Sequence, residues 1–204
     1  MPFSLDLYNK DISNHIAALE PKTVLDVGAG MGKYGDIVRA VRGQASVIDA
    51  VEPTPEYASK YKLHEKYRNV FVNDIVSFTK SNMTHKYDLC IMGDVLEHLF
   101  LHEAISVLDA LAYKCKYMMV IWPTDLPQDH EFDNVYEMHK SNFKLADLTR
   151  FNIQCYKTTF IEELNGVPYC ANYALIAGHL VRPHQYMRRA HIENNIQDGV
   201  INDV

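Results

Sequence analysis

The chain has 204 residues, 48% of them hydrophobic and 23% charged, which fits one globular domain with a sizeable core and leaves no room for a second. A formal net charge of −6 argues against broad electrostatic attraction to nucleic acid. The four cysteines have no C-x-x-C spacing, no segment approaches the ~20 apolar residues of a membrane span, and the first residues lack the basic-then-apolar pattern of an export signal. We therefore expect reduced thiols, no membrane association and a cytoplasmic location.

In chain order, Ile12, Ile16 and Leu19 recur at helical spacing within residues 4–19, and Pro21 stops the pattern. The next stretch, Thr23 to Gly35, runs from strand-forming Thr23, Val24, Leu25 and Val27 into glycines at 28, 30 and 32 and then into a helical pattern. Glycine is required where the backbone takes φ > 0 or lets a ligand approach, and the free N–H groups of a helix start face the same place, so this turn reads as a nucleotide cradle. It is not a phosphate-binding P-loop, because Tyr34 follows Lys33 and Val27 stands at the first glycine position. The dinucleotide fingerprint fails at Lys33, where its third glycine belongs.

A helix ends near Gly43, and a strand over residues 45–51 is closed by Glu52 and Pro53. An acidic residue at that strand end is placed to accept hydrogen bonds from both hydroxyls of a ribose. A polar helix is expected over 57–67, a strand over 70–73 stopping at Asp74, a turn of helix over 75–80, and a fourth strand over 86–92. After Gly93-Asp94-Val95-Leu96-Glu97-His98-Leu99 the helical pattern breaks near Leu101 and resumes through Leu111. An apolar strand over 117–122 ends at Pro123, a loop rich in Pro, Asp and His runs to His139, and a short helix covers 140–148. Extended segments over 152–163 and 168–180 flank Asn165-Gly166, a strong hairpin pair.

The segment Asp26-Val27-Gly28-Ala29-Gly30-Met31-Gly32 resembles the first motif of the class I S-adenosylmethionine-dependent methyltransferases at every defining position. Asp94-Val95-Leu96-Glu97-His98-Leu99 is closely similar to a D-V-L-E-H-L turn found in many members, especially those acting on small molecules. The resemblance covers roughly residues 1–180 and implies a doubly wound, Rossmann-like α/β sheet of seven strands. That sheet would be mostly parallel with a C-terminal antiparallel hairpin strand, and helices would cover both faces. It implies S-adenosylmethionine as cofactor, held by Asp26, Gly28, Ala29 and Gly30 of the first motif and by Glu52 on the ribose. Asp74 would bond the adenine amino group and the Ile75 N–H would meet the ring, while Gly93 and Asp94 lie beside the cofactor beyond the fourth strand. The family's leading helix often covers the cofactor, to which Tyr8 or His15 would contribute. Residues 181–204, with Arg182, His184, Arg188, Arg189 and His191, form a separate basic and polar tail, expected to be solvated.

Methyl transfer from a sulfonium is an in-line displacement that needs alignment, plus a base where the acceptor loses a proton. His98, four residues after Asp94 and expected on the same helix face, is the first catalytic candidate together with Asp94; His139, in the 123–139 loop, is the second, ahead of His130. The chain lacks a [DNS]-P-P-[YFW] motif after the fourth strand and any extra recognition domain. A small-molecule acceptor with an oxygen nucleophile is therefore expected. The alternative is a metal-assisted RNA 2′-O-methyltransferase: Asp94, Glu97 and His98, joined by His130 or His139, resemble the metal-binding E-x-x-E-H turn of that family, with Asp94 replacing its first glutamate. The second half of its metal motif is not recognisable and metal-free relatives share D-V-L-E-H-L, so no metal is assigned. Two rivals remain, a nicotinamide oxidoreductase, disfavoured by Lys33, and a catalytically silent cofactor- or partner-binding fold.

Overall fold

Strands buried on both faces need apolar residues at successive positions, and the chain supplies them in runs such as Met118-Met119-Val120-Ile121-Trp122, all buried. The structure, a computed structural model, describes residues 6–81, 84–129, 134–164 and 167–181. Strands β1 (Thr23–Val27), β2 (Val47–Val51), β3 (Asn69–Phe71), β4 (Tyr87–Gly93), β5 (Cys115–Thr124), β6 (Asn152–Leu164) and β7 (Val167–Ala177) form one seven-stranded sheet in the order β3-β2-β1-β4-β5-β7-β6. The first five are mutually parallel, and β7 runs antiparallel to β5 and β6, with Leu164 paired to Val167. Helices α1 (Asn9–Leu19), α2 (Lys33–Arg42), α3 (Pro55–Lys60), α4 (Leu63–Lys66), α5 (Ile75–Ser81) and α6 (Leu101–Lys114) connect the strands.

Alternation along each strand builds two cores. Val24, Leu89, Ile91, Met119 and Leu175 pack with Ile12, Ile16, Val38 and Leu63 on the face of α1, α2 and α4. Leu25, Val27, Met92, Val120 and Ile176 pack with Phe78, Val107, Leu108 and Leu111 on the face of α5 and α6. The fold class expected from the sequence is therefore the fold observed. All four cysteines are free thiols, and no helix among the described residues is long and apolar enough to cross a membrane.

Several local expectations are corrected. The helix expected over 57–67 is two short helices, separated where Lys62 takes φ 52°. Pro123 lies inside β5, opposite Ala171 of β7, instead of ending the strand. β4 stops at Gly93, opposite Ile121, and Ile121 turns its carbonyl to Asp94 on that side. Pro123, two residues on, directs its missing N–H to the same vacated side, so no ladder bond is lost. The helix expected over 140–148 is only a 3₁₀ turn, Leu145–Leu148; before it, the N–H groups of Lys140 and Ser141 bond the Glu97 carbonyl at 2.7 and 3.1 Å. His130, Asn165-Gly166, the first two residues of the 4–19 segment and the basic tail beyond residue 181 lie outside the described residues.

Candidate active site

The strand order reverses between β1 and β4, and the crevice beyond the carboxyl ends of those strands is where an open α/β sheet takes ligands. Val27 ends β1, and the turn passes through Gly28, Gly30 and Gly32 at φ 68°, 53° and 87° before α2 begins at Lys33. A Cβ on Gly28 would stand 2.6 Å from Val95 Cγ2, so a side chain there meets the turn after β4 as well as backbone strain. At the end of β4, a Cβ on Gly93 would fall 2.1 Å from the Tyr34 ring.

Together these ends enclose a cavity of about 490 Å³. Gly28, Ala29, Gly30, Glu52, Asp74, Ile75, Gly93, Asp94 and His98 all line it. Glu52 is buried, its Oε2 accepting the Gly30 N–H at 2.8 Å and its Oε1 the Thr54 N–H at 2.9 Å. Burial raises its pKa, and those two bonds oppose the rise. Asp74 accepts the Ser77 N–H at 2.8 Å, so it caps α5 as well as lining the cavity.

Asp26 lies beneath this wall and not on it. Its Oδ2 accepts the Gly35 N–H at 3.1 Å and the Tyr67 hydroxyl at 2.5 Å, joining β1 to α2 and to the end of α4. Burial pushes its pKa up to about 6. Tyr8 and His15 do not line the large cavity either. Tyr8 donates to the Ala171 carbonyl at 2.7 Å, and His15 Nδ1 is 2.6 Å from the Tyr173 hydroxyl.

Asp94 and His98 do not share an α-helical face, because Asp94 takes φ 53° and a 3₁₀ turn, Leu96–His98, follows it. They nonetheless line the same walls: both face the large cavity and a second one of about 100 Å³. The second cavity is bounded by Tyr8, Glu97, Trp122, Leu126, His139 and Tyr169 among others. His139 belongs only to this smaller space, with its ring centroid 4.9 Å from that of His98 at an interplanar angle of 70°.

Both imidazoles have a defined tautomer. His98 Nδ1 is 3.2 Å from the Met138 carbonyl and His139 Nδ1 is 2.6 Å from the Leu126 carbonyl. A carbonyl only accepts, so each Nδ1 carries the proton and each neutral ring keeps a lone pair on Nε2. Burial, then the neighbouring His139, lowers the His98 pKa to about 4, and burial lowers that of His139. At neutral pH both rings are uncharged.

The loop that carries His139 reaches across the large cavity. Tyr57 donates to Glu137 Oε1 at 3.1 Å, and Asn134 Nδ2 donates to the Thr54 hydroxyl at 3.3 Å. Sequence reasoning missed Tyr57, Glu137 and Lys140 as cavity residues, since they come from two segments about 80 positions apart with no common motif. Glu97, named from the sequence only within the alternative metal-binding turn, is buried with neither carboxyl oxygen hydrogen-bonded.

No protein-family model matches this chain, and no curated protein matches it by sequence. Its fold is nevertheless shared with many solved structures. TehB from Haemophilus influenzae aligns with TM-score 0.63 at 14% identity, over 85% of this chain and 66% of that one. The N-methyltransferase NodS from Bradyrhizobium japonicum aligns with TM-score 0.58 at 11% identity, over 85% of this chain and 99% of its own. The N-terminal domain of EvdMO1, crystallised in the presence of S-adenosylhomocysteine and D-fucose, aligns with TM-score 0.59 at 12% identity, over 83% of this chain and 82% of that one. The chain therefore has the fold of the class I S-adenosylmethionine-dependent methyltransferases.

Proposed function

We propose that this protein is an enzyme that moves a methyl group from S-adenosylmethionine to an oxygen of a small-molecule acceptor. The observation that carries the reading is the shared wall at Asp94 and His98, which line both the large cavity and the small one. The glycine turn, Glu52, Asp74 and Ile75 bound the large cavity, and their chemistry suits a nucleoside with a ribose diol and an adenine. A methyl directed past Asp94 and His98 would enter the small cavity, whose aromatic and apolar walls and volume of about 100 Å³ suit a compact acceptor.

The protein's part in the reaction is alignment and proton removal. Leu126, Trp122 and Tyr169 give the small cavity apolar and aromatic walls, and Asp94, His98 and His139 line it as well. Each neutral imidazole keeps a lone pair on Nε2, which suits an acceptor hydroxyl that must lose a proton. An oxygen acceptor is favoured on that ground.

The test is a thermal shift of the full chain with S-adenosylhomocysteine, with NAD and with buffer alone, using Glu52→Ala as control. A ligand at 100 times its dissociation constant stabilises by about 2.7 kcal/mol, which moves the midpoint by several degrees. A shift with S-adenosylhomocysteine that Glu52→Ala abolishes supports the cofactor. A shift with NAD instead would replace this reading by an oxidoreductase, and binding without turnover on any hydroxylated acceptor would mark a silent fold.

A further inference from the structure

Glu97 is only 1% exposed, and neither oxygen of its carboxyl group has a hydrogen-bond partner. A buried carboxyl left without partners is costly, and methyl transfer as described makes no use of it. The residue belongs to the wall of the small cavity, where a carboxyl oxygen of Glu97 and a ring nitrogen each of His98 and His139 lie within 4.8 Å of one another. Neither imidazole supplies the missing donor, since each Nδ1–H is spent on a backbone carbonyl and His98 Nε2 stands 4.0 Å from Glu97 Oε1. The main chain here is held in place: Glu97 sits in the 3₁₀ turn Leu96–His98, and its carbonyl accepts the N–H groups of Lys140 and Ser141. The carboxyl group is therefore a fixed acceptor on the wall of a space that a ligand can fill.

The charge of that wall selects the donor. Among the described residues lining the small cavity, Asp94 and Glu97 are acidic and none is lysine or arginine, while Tyr8, Trp122 and Tyr169 supply aromatic rings. An anionic ligand would meet two carboxyl groups with no cation to offset them, whereas an ammonium is attracted both by a carboxylate and by aromatic faces. Burial, then Asp94, raises the Glu97 pKa well above its ordinary value, and a positive charge beside the carboxyl group offsets both causes. We propose that the small cavity binds a compact amino alcohol as its protonated amine, with the ammonium on the Glu97 carboxylate and the hydroxyl left to the imidazoles. Naming this ligand the methyl acceptor rests on the methyl-transfer reading; the binding of the ammonium does not. An ammonium nitrogen has no lone pair, so the methyl goes to oxygen. A neutral imidazole Nε2 takes the hydroxyl proton, the oxygen lone pair forms the bond to the methyl carbon, and the carbon–sulfur bond breaks with its electrons going to sulfur. The products are the amino ether, S-adenosylhomocysteine and a proton that the imidazole passes to solvent. Glu97 selects the substrate and takes no part in the transfer.

The experiment titrates the full chain, in chelator throughout, with ethanolamine, ethylene glycol and glycolate, which match in length and carry positive, zero and negative charge. It reads the heat of binding and the fluorescence of Trp122, the single tryptophan, which lines the small cavity. Glu97→Gln, which keeps the shape of the side chain without its charge, is titrated alongside and checked for its thermal shift with S-adenosylhomocysteine. Expected is ethanolamine binding to wild type about tenfold or more tightly than ethylene glycol, with glycolate weakest, and loss of that preference in Glu97→Gln with the thermal shift retained. Ethylene glycol or glycolate binding as tightly as ethanolamine overturns the inference, as does the absence of ethanolamine binding or a preference that survives in Glu97→Gln. The wild-type ranking answers alone should the variant fail to fold. Each titration is run with and without S-adenosylhomocysteine. A missing thermal shift with that ligand in wild type sinks the methyl-transfer reading, and the ranking without it then judges the ammonium site by itself.

Discussion

Glu52 at the end of β2 accepts the backbone N–H of Gly30 at 2.8 Å, so one carboxylate both shapes the glycine turn and faces the cavity behind it. Glu52→Ala removes that acceptor and the one for Thr54 N–H. The expected cost is about 1–3 kcal/mol of stability, from unfolding in urea, with a loss of S-adenosylhomocysteine affinity of about tenfold or more by calorimetry. Unchanged affinity would remove Glu52 from the cofactor wall.

Gly93→Ala tests how tightly the end of β4 is packed. The new Cβ would fall 2.1 Å from the buried Tyr34 ring, so overpacking is expected to cost about 1–3 kcal/mol. Tyr34→Ala in the same background should recover part of that loss, giving a non-additive double-mutant cycle. Additive effects would mean that the two groups do not collide.

Asp26 gives a pH dependence with a definite sign. Its folded pKa of about 6 lies above the ordinary 3.8, so between those values the folded state holds a proton that the unfolded state lacks. The contribution of this group to stability therefore falls as pH rises through that window and is lowest above pH 6, by on the order of 2–3 kcal/mol. Asp26→Asn keeps an acceptor for Gly35 and Tyr67 but cannot titrate. The stability difference between wild type and variant, from urea unfolding between pH 4.5 and 7.5, should shift in favour of wild type on acidification. A difference independent of pH would show that Asp26 ionises as freely in the folded chain as in the unfolded one.

His139 lines the small cavity but not the large one, which separates two roles. His139→Ala is expected to lower kcat by about 100-fold or more while changing S-adenosylhomocysteine affinity little. Equal turnover in mutant and wild type would take the small cavity out of the reaction.

The parts of the site that were legible in the sequence are those specified by short-range rules. The glycine turn, the acid closing β2 and the D-V-L-E-H-L step each declare themselves within a few residues, since backbone conformation and strand ends are local matters. Residues such as Tyr57 and Glu137 were not legible. Their bond, 80 positions apart in the chain, exists only because the loop after β5 folds back over α3.

The sequence by itself determined the α/β class, the place of the glycine cradle and the residues offered to a nucleoside, because alternating apolar strands and positive-φ glycines leave few other conformations open. Only the tertiary structure decided that Asp26 braces the cradle from below, that Pro123 continues a strand, and that Glu97, His98 and His139 come within 4.8 Å of one another. Those outcomes depend on which neighbours arrive: a strand that stops at Gly93, a tyrosine at the end of α4, and a loop whose N–H groups bind the Glu97 carbonyl. Burial and partnership are properties of the assembled fold, and no local pattern of residue types encodes them.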